Sequence, residues 1–78
     1  MLTFEAMNAI AHELQRAREK FPQQDIWRTL AALTEEVGEL NQAVLKNTGE
    51  GKTKTREDIE GEAVQVAVMA IRVACDCS

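Results

Sequence analysis

Ile59-Glu60-Gly61-Glu62-Ala63-Val64-Gln65-Val66-Ala67-Val68-Met69-Ala70-Ile71-Arg72-Val73-Ala74 carries apolar residues over well over half of a helix circumference. A helix apolar over that width has to be covered from more than one side, so other helices of the chain, and a partner chain, are expected around it. Its one polar strip, made of Asp58, Glu62, Gln65, Met69, Arg72 and Asp76, falls within roughly 80°. Thr55 with Asp58 three residues later predicts the start of this helix, an approximate capping box with Asp in place of the usual Glu. Glu57 and Asp58 also suit the positive end of the helix dipole.

Before it, Asn47-Thr48-Gly49-Glu50-Gly51-Lys52-Thr53-Lys54 has glycines and lysines but no large apolar residue, and predicts a flexible, exposed loop. Further back, Ile26, Leu30, Leu33, Val37, Leu40 and Val44 share one face of a helix expected over Ile26 to Lys46, with Asp25 as its cap. Met7, Ile10, Leu14, Ala17 and Phe21 form a stripe on a first helix over Thr3 to Lys20, with Thr3 available as cap and Pro22 ending it. Phe21 is expected in the core, and Met7 and Met69 are expected to pack. No stretch alternates apolar and polar residues as a strand requires. The expected fold is therefore all-α, a single domain over residues 1–78 whose three-helix bundle is completed by dimerisation, or by a dimer of dimers.

Size argues for the same assembly. A chain of 78 residues has a core worth only about 3–5 kcal/mol. Cys75 and Cys77 are too close together to staple it, and with His12 as the only histidine a zinc knuckle is excluded. Both thiols are expected to be reduced and inert, and His12 to lie on the surface. A net charge of −4 argues against polymeric nucleic acid as a partner. Val64 to Cys75, the longest apolar stretch, is too short to span a bilayer. The first residues show no signal-peptide pattern, so a cytoplasmic location is expected.

Glu36 and Glu39 lie within roughly 60° of each other at the edge of the second helix's apolar face. Packing the second and third helices antiparallel sets them opposite Glu62 and Gln65. Three carboxylates converging in a partly dry space repel one another unless a hard divalent cation sits between them, and oxygen donors select Mg²⁺ or Mn²⁺. The same acids at a solvated helix face would have no such role.

Leu33-Thr34-Glu35-Glu36-Val37-Gly38-Glu39-Leu40, with Ala43-Val44-Leu45-Lys46 and later Glu62-Ala63-Val64-Gln65-Val66-Ala67, resembles the MazG-like all-α nucleoside triphosphate pyrophosphohydrolases, marked by ExxE, a variable spacer and ExxD. Glu36 and Glu39 match the first half in its EExGEL setting, and the likeness covers about Trp27 to Val73. Glu62 matches the start of the second half, whereas Gln65 stands where the family has Asp. Glu57 and Glu60 share the spacing, but Glu60 points roughly 160° from Glu62.

The resemblance implies a MazG-like helical bundle forming a homodimer or homotetramer, and hydrolysis of a nucleoside triphosphate to the monophosphate and pyrophosphate by water attack at the α-phosphorus. It implies Mg²⁺ (or Mn²⁺) held by Glu36, Glu39 and Glu62, with Gln65 a weak fourth ligand. Glu36 or Glu39 is the expected catalytic residue that positions or deprotonates the water. Lys46, Lys54 and Arg56, with Lys52 beside them, are candidate phosphate contacts. Trp27, roughly 180° from Glu36, is a candidate for stacking on the base across a subunit boundary, or for filling that boundary. Arg72 is expected to pair with Asp76 or with an acid of the partner chain. The alternative expectation is a catalytically weakened MazG-like oligomer that binds nucleotide or protein, its chemistry lost through Gln65.

Overall fold

The computed structural model describes residues 1–49 and 51–77. Glu50, inside the loop expected from Asn47 to Lys54, and Ser78 lie outside the described residues. Among the described residues the fold has three helices, α1 (Thr3–Lys20), α2 (Ile26–Thr48) and α3 (Arg56–Cys75). No described helix is long and apolar enough to cross a membrane.

Local chemistry sets the helix ends. Asp25 accepts the Arg28 backbone N–H at 3.0 Å and starts α2 as expected. Thr55 and Asp58 form the full reciprocal box of α3, with Thr55 Oγ1 accepting from the Asp58 N–H at 3.2 Å and the Asp58 carboxylate accepting from the Thr55 N–H at 2.8 Å. The carboxylate also accepts from Thr55 Oγ1 at 3.1 Å, and the two bonds it takes from Thr55, the backbone one first, hold the Asp58 carboxyl below its ordinary value. At α1 the expectation fails by one residue. Leu2 is the cap and Thr3 the first helical residue, because Glu5 reaches back to accept the Leu2 N–H at 2.9 Å.

Helix α2 also runs two residues beyond Lys46. Thr48 Oγ1 bonds back to the Val44 carbonyl at 2.8 Å, and Asn47 Nδ2 donates to the Lys54 carbonyl at 2.9 Å, drawing the ends of the loop together. Gly49 closes α2 where a Cβ would lie 2.8 Å from the Leu45 carbonyl oxygen, and Gly51 has φ +90, a left-handed conformation natural to glycine.

Helix α3 is the middle of the molecule. It packs on α2, antiparallel to it, and on α1, while α1 and α2 stay apart on its two sides. This accounts for its broad apolar arc, and Val64 and Val68 on it are buried. The face of α2 turned to α3 is not the expected stripe. Thr29 and Ala43 are the residues of α2 that become buried, with Ala32, Glu36 and Leu40 half-buried beside them. Ile26, Leu30, Val37 and Val44 remain exposed. The apolar face of α2 is rotated by roughly 80° from the face it presents to α3, by helical periodicity.

Close packing explains the offset. Small side chains at 29, 32 and 43 let the two backbones approach, and the larger branched ones are left outside. Phe21 and Met7, expected to be packed, are likewise exposed in the single chain. Phe21 stands at the end of α1 with the Lys20 ammonium 5.6 Å from its ring centre.

At the far end, Arg72 is 2% exposed and gathers the chain together. Its guanidinium donates to the carbonyls of Ala17 (3.3 Å) and Phe21, at the end of α1, and to Asp76 at 2.9 Å. Asp76 also takes two hydrogen bonds from Arg18, each 2.8 Å. The expected Arg72–Asp76 pair is therefore present within the chain, extended by a second arginine.

Candidate metal and nucleotide site

The Glu36 and Glu39 side chains leave α2 one turn apart, and antiparallel packing brings Glu62 of α3 against them. One carboxylate oxygen from each lies within 4.8 Å of the others. Glu36 and Glu62 are half-buried and Glu39 is exposed, so the group opens to solvent on the Glu39 side. Glu36 Oε2 is sealed from water and has no hydrogen-bond partner among the described residues. Burial first, and then repulsion from Glu39 and Glu62, pushes the Glu36 carboxyl above the ordinary glutamate range. A sealed carboxylate oxygen without a donor is a costly arrangement, and a cation among the three acids is one way to relieve it.

A cleft of about 780 Å³ beside the carboxylates is lined by Glu35, Glu39, Gln42, Asp58 and Glu62 together with Lys46 and Lys54. The two lysines therefore share a cleft with Glu39 and Glu62. Arg56 does not. It lines a separate hollow with Ile59, Glu60 and Ala63, where Glu60 meets the Met1 amino group. Trp27 is 72% exposed and does not line the cleft of Lys46 and Lys54. Lys52, with φ 36, is exposed on the loop.

Gln65, the expected weak ligand, lines a different cleft, one that none of the three acids lines. Its Nε2 donates to Glu13 Oε2 at 3.1 Å. Arg16 holds the same carboxylate at 2.9 Å, and hydrogen bonds from Arg16 and then Gln65 keep the Glu13 carboxyl below its ordinary value. Glu13 had escaped the sequence reading. The available signal was its place three residues after Ile10 and four before Ala17, inside the stripe that α1 turns toward α3. His12 is exposed, and Cys75 and Cys77 are free thiols.

Compared with protein-family models, with curated proteins and with solved structures, the chain matches none of them.

Proposed function

We propose that this chain is a Mg²⁺-dependent nucleoside triphosphate pyrophosphohydrolase that releases the monophosphate and pyrophosphate, and that it works as a homodimer or homotetramer. One observation carries the reading, the convergence of Glu36, Glu39 and Glu62 from two helices with a sealed, donorless oxygen on Glu36. The donor set is all carboxylate, which suits Mg²⁺ or Mn²⁺ rather than zinc. Such an ion, when bound, neutralises charge on the phosphate oxygens.

The chain's own residues divide the remaining work. Glu36, Glu39 and Glu62 hold the cation, and Glu36 or Glu39 orients the water and takes its proton. Lys46 and Lys54, in the cleft beside Glu39 and Glu62, are placed to meet the anionic chain that leaves. Gln65 adds no charge to the set and is engaged with Glu13, so the cation rests on three acids. Exposed apolar residues on α2 support assembly into an oligomer.

Pyrophosphate release from a panel of ribo- and deoxyribonucleoside triphosphates, with Mg²⁺ or Mn²⁺, tests this directly. The parent is expected to turn over at least one of them, and Glu39→Ala to lower that rate by roughly 100-fold or more. If the parent releases nothing and Gln65→Asp creates activity, the chain is instead a nucleotide-binding oligomer that has lost its chemistry.

A further inference from the structure

The groove that α1 and α2 leave between them over α3 collects positive charge. Its lining includes Arg16, Lys20, Arg28 and Arg72, four of the chain's nine Lys and Arg residues, but only Glu13 of its thirteen acids. The cleft of Lys46 and Lys54 has the opposite balance, four acids against two lysines. Charge is thus segregated along a chain whose net charge is −4.

Little inside the groove answers that charge. Both oxygens of Glu13 are engaged by Arg16, and one of them also by Gln65. Arg72 lines the groove at 2% exposure, whereas Asp76, its ion-pair partner, does not line it and is shared with Arg18. Lys20 on the α1 wall and Arg28 on the α2 wall are exposed, and neither forms an ion pair among the described residues. Two unpaired cations therefore line one groove from helices that do not touch each other. Its volume of about 460 Å³ is in the range of small-molecule sites.

We propose that this groove binds a small molecule carrying two or more linked phosphate groups, held by Lys20 from one wall and Arg28 from the other. A diphosphate or longer chain spreads its anionic oxygens along its length, so one molecule meets both walls. The Arg28 guanidinium pairs with two oxygens of a phosphate at once, and the Lys20 ammonium acts as a point charge. Arg72 beneath them adds a buried charge that water and salt screen poorly. Bound there, the ligand ties α1 to α2, which are otherwise joined only through α3, and so stabilises the fold by mass action. The proposal is independent of the pyrophosphohydrolase reading, because none of the three clustered acids lines the groove and no divalent cation is needed in it.

Calorimetry with inorganic tripolyphosphate in EDTA reads this groove alone, since without a divalent cation Glu36, Glu39 and Glu62 repel a polyanion. One equivalent per chain is expected to bind and to raise the thermal midpoint. Orthophosphate should bind at least about tenfold more weakly, because it lacks the second linked group. Lys20→Ala and Arg28→Ala should each weaken tripolyphosphate binding by about tenfold, whereas Lys46→Ala and Lys54→Ala leave it within about twofold. Removing either exposed side chain unpairs no partner, and circular dichroism checks that the helices remain. Absence of binding, or binding lost with Lys46 or Lys54 rather than with Lys20 or Arg28, overturns the assignment. Equal affinity for orthophosphate overturns the requirement for linked phosphates. Neither result bears on pyrophosphate release with Mg²⁺, which tests the proposed activity separately.

Discussion

Glu36 has one oxygen sealed from water and two further carboxylates beside it. Its folded-state value is raised above that of the unfolded chain, so the native state takes up this proton at the higher pH. The stabilising contribution is present at acid pH and is lost as pH rises above about 4.5 through the folded value. At neutral pH the charged group therefore weakens the fold. Glu36→Gln is expected to raise the thermal midpoint at pH 7 by roughly 4 °C, as about 1 kcal/mol does in a domain of this size. Mg²⁺ should raise the midpoint of the parent and leave that of the variant nearly unchanged. Scanning calorimetry with and without Mg²⁺ checks both, and a variant melting below the parent would contradict the account of Glu36. The charge pattern of Glu36, Glu39 and Glu62 was legible in the sequence because carboxylate spacing on a helix follows from periodicity alone. The sealing of Glu36 Oε2 was not, since it depends on how closely α3 approaches.

Among the elements, the end of α3 joins what the chain order separates. Arg72 caps α1 from within, and Asp76 binds Arg72 and Arg18 together. Hydrogen bonding from Arg18, outweighing partial desolvation, and then from Arg72 pulls the Asp76 carboxyl down from 3.8 to about 2. A depressed value of this kind contributes stability that is fully present above about pH 4 and is lost as the pH falls toward 2. Asp76→Asn is expected to melt below the parent at pH 7, and the difference between them should shrink between pH 4 and pH 2. Thermal scans of both proteins across that range decide it, and a difference that stays constant would place the stabilisation elsewhere. The Arg72–Asp76 spacing announced their pairing, but Arg18 lies too far away in sequence for any local rule to bring it in. The caps of α2 and α3 were readable because a cap bonds only to its own first turn. The cap of α1 was misplaced by one residue, since Glu5 serves the N–H of Leu2 and so lets a residue with no polar side chain hold that position.

As a whole molecule, the chain exposes 5644 Å², whereas a compact monomer of 8.7 kDa is expected to expose about 4,700 Å². The excess is close to the roughly 800 Å² that each partner loses in an interface of standard size. Ile26, Leu30, Val37, Val44, Trp27 and Leu45 form an exposed apolar arc on α2, on the side away from α3. The protein is expected to sediment as a dimer or tetramer at micromolar concentration, and Leu30→Lys to shift it toward monomer while its helices remain. A monodisperse monomer at about 100 µM would contradict the assembly.

Helix number, helix type and the carboxylate spacing were determined by the sequence itself, because they follow from hydrogen bonds and periodicities that span a few residues. Which face of α2 meets α3 was decided only by the tertiary structure. The apolar stripe marks a surface to be covered without saying by what, and the small side chains of Thr29, Ala32 and Ala43 gave α3 the closer approach. That choice turned Glu36 inward, left the larger apolar residues outside, and opened between α1 and α2 the slot where Glu13 meets Gln65. Each of these results depends on contacts between residues far apart along the chain.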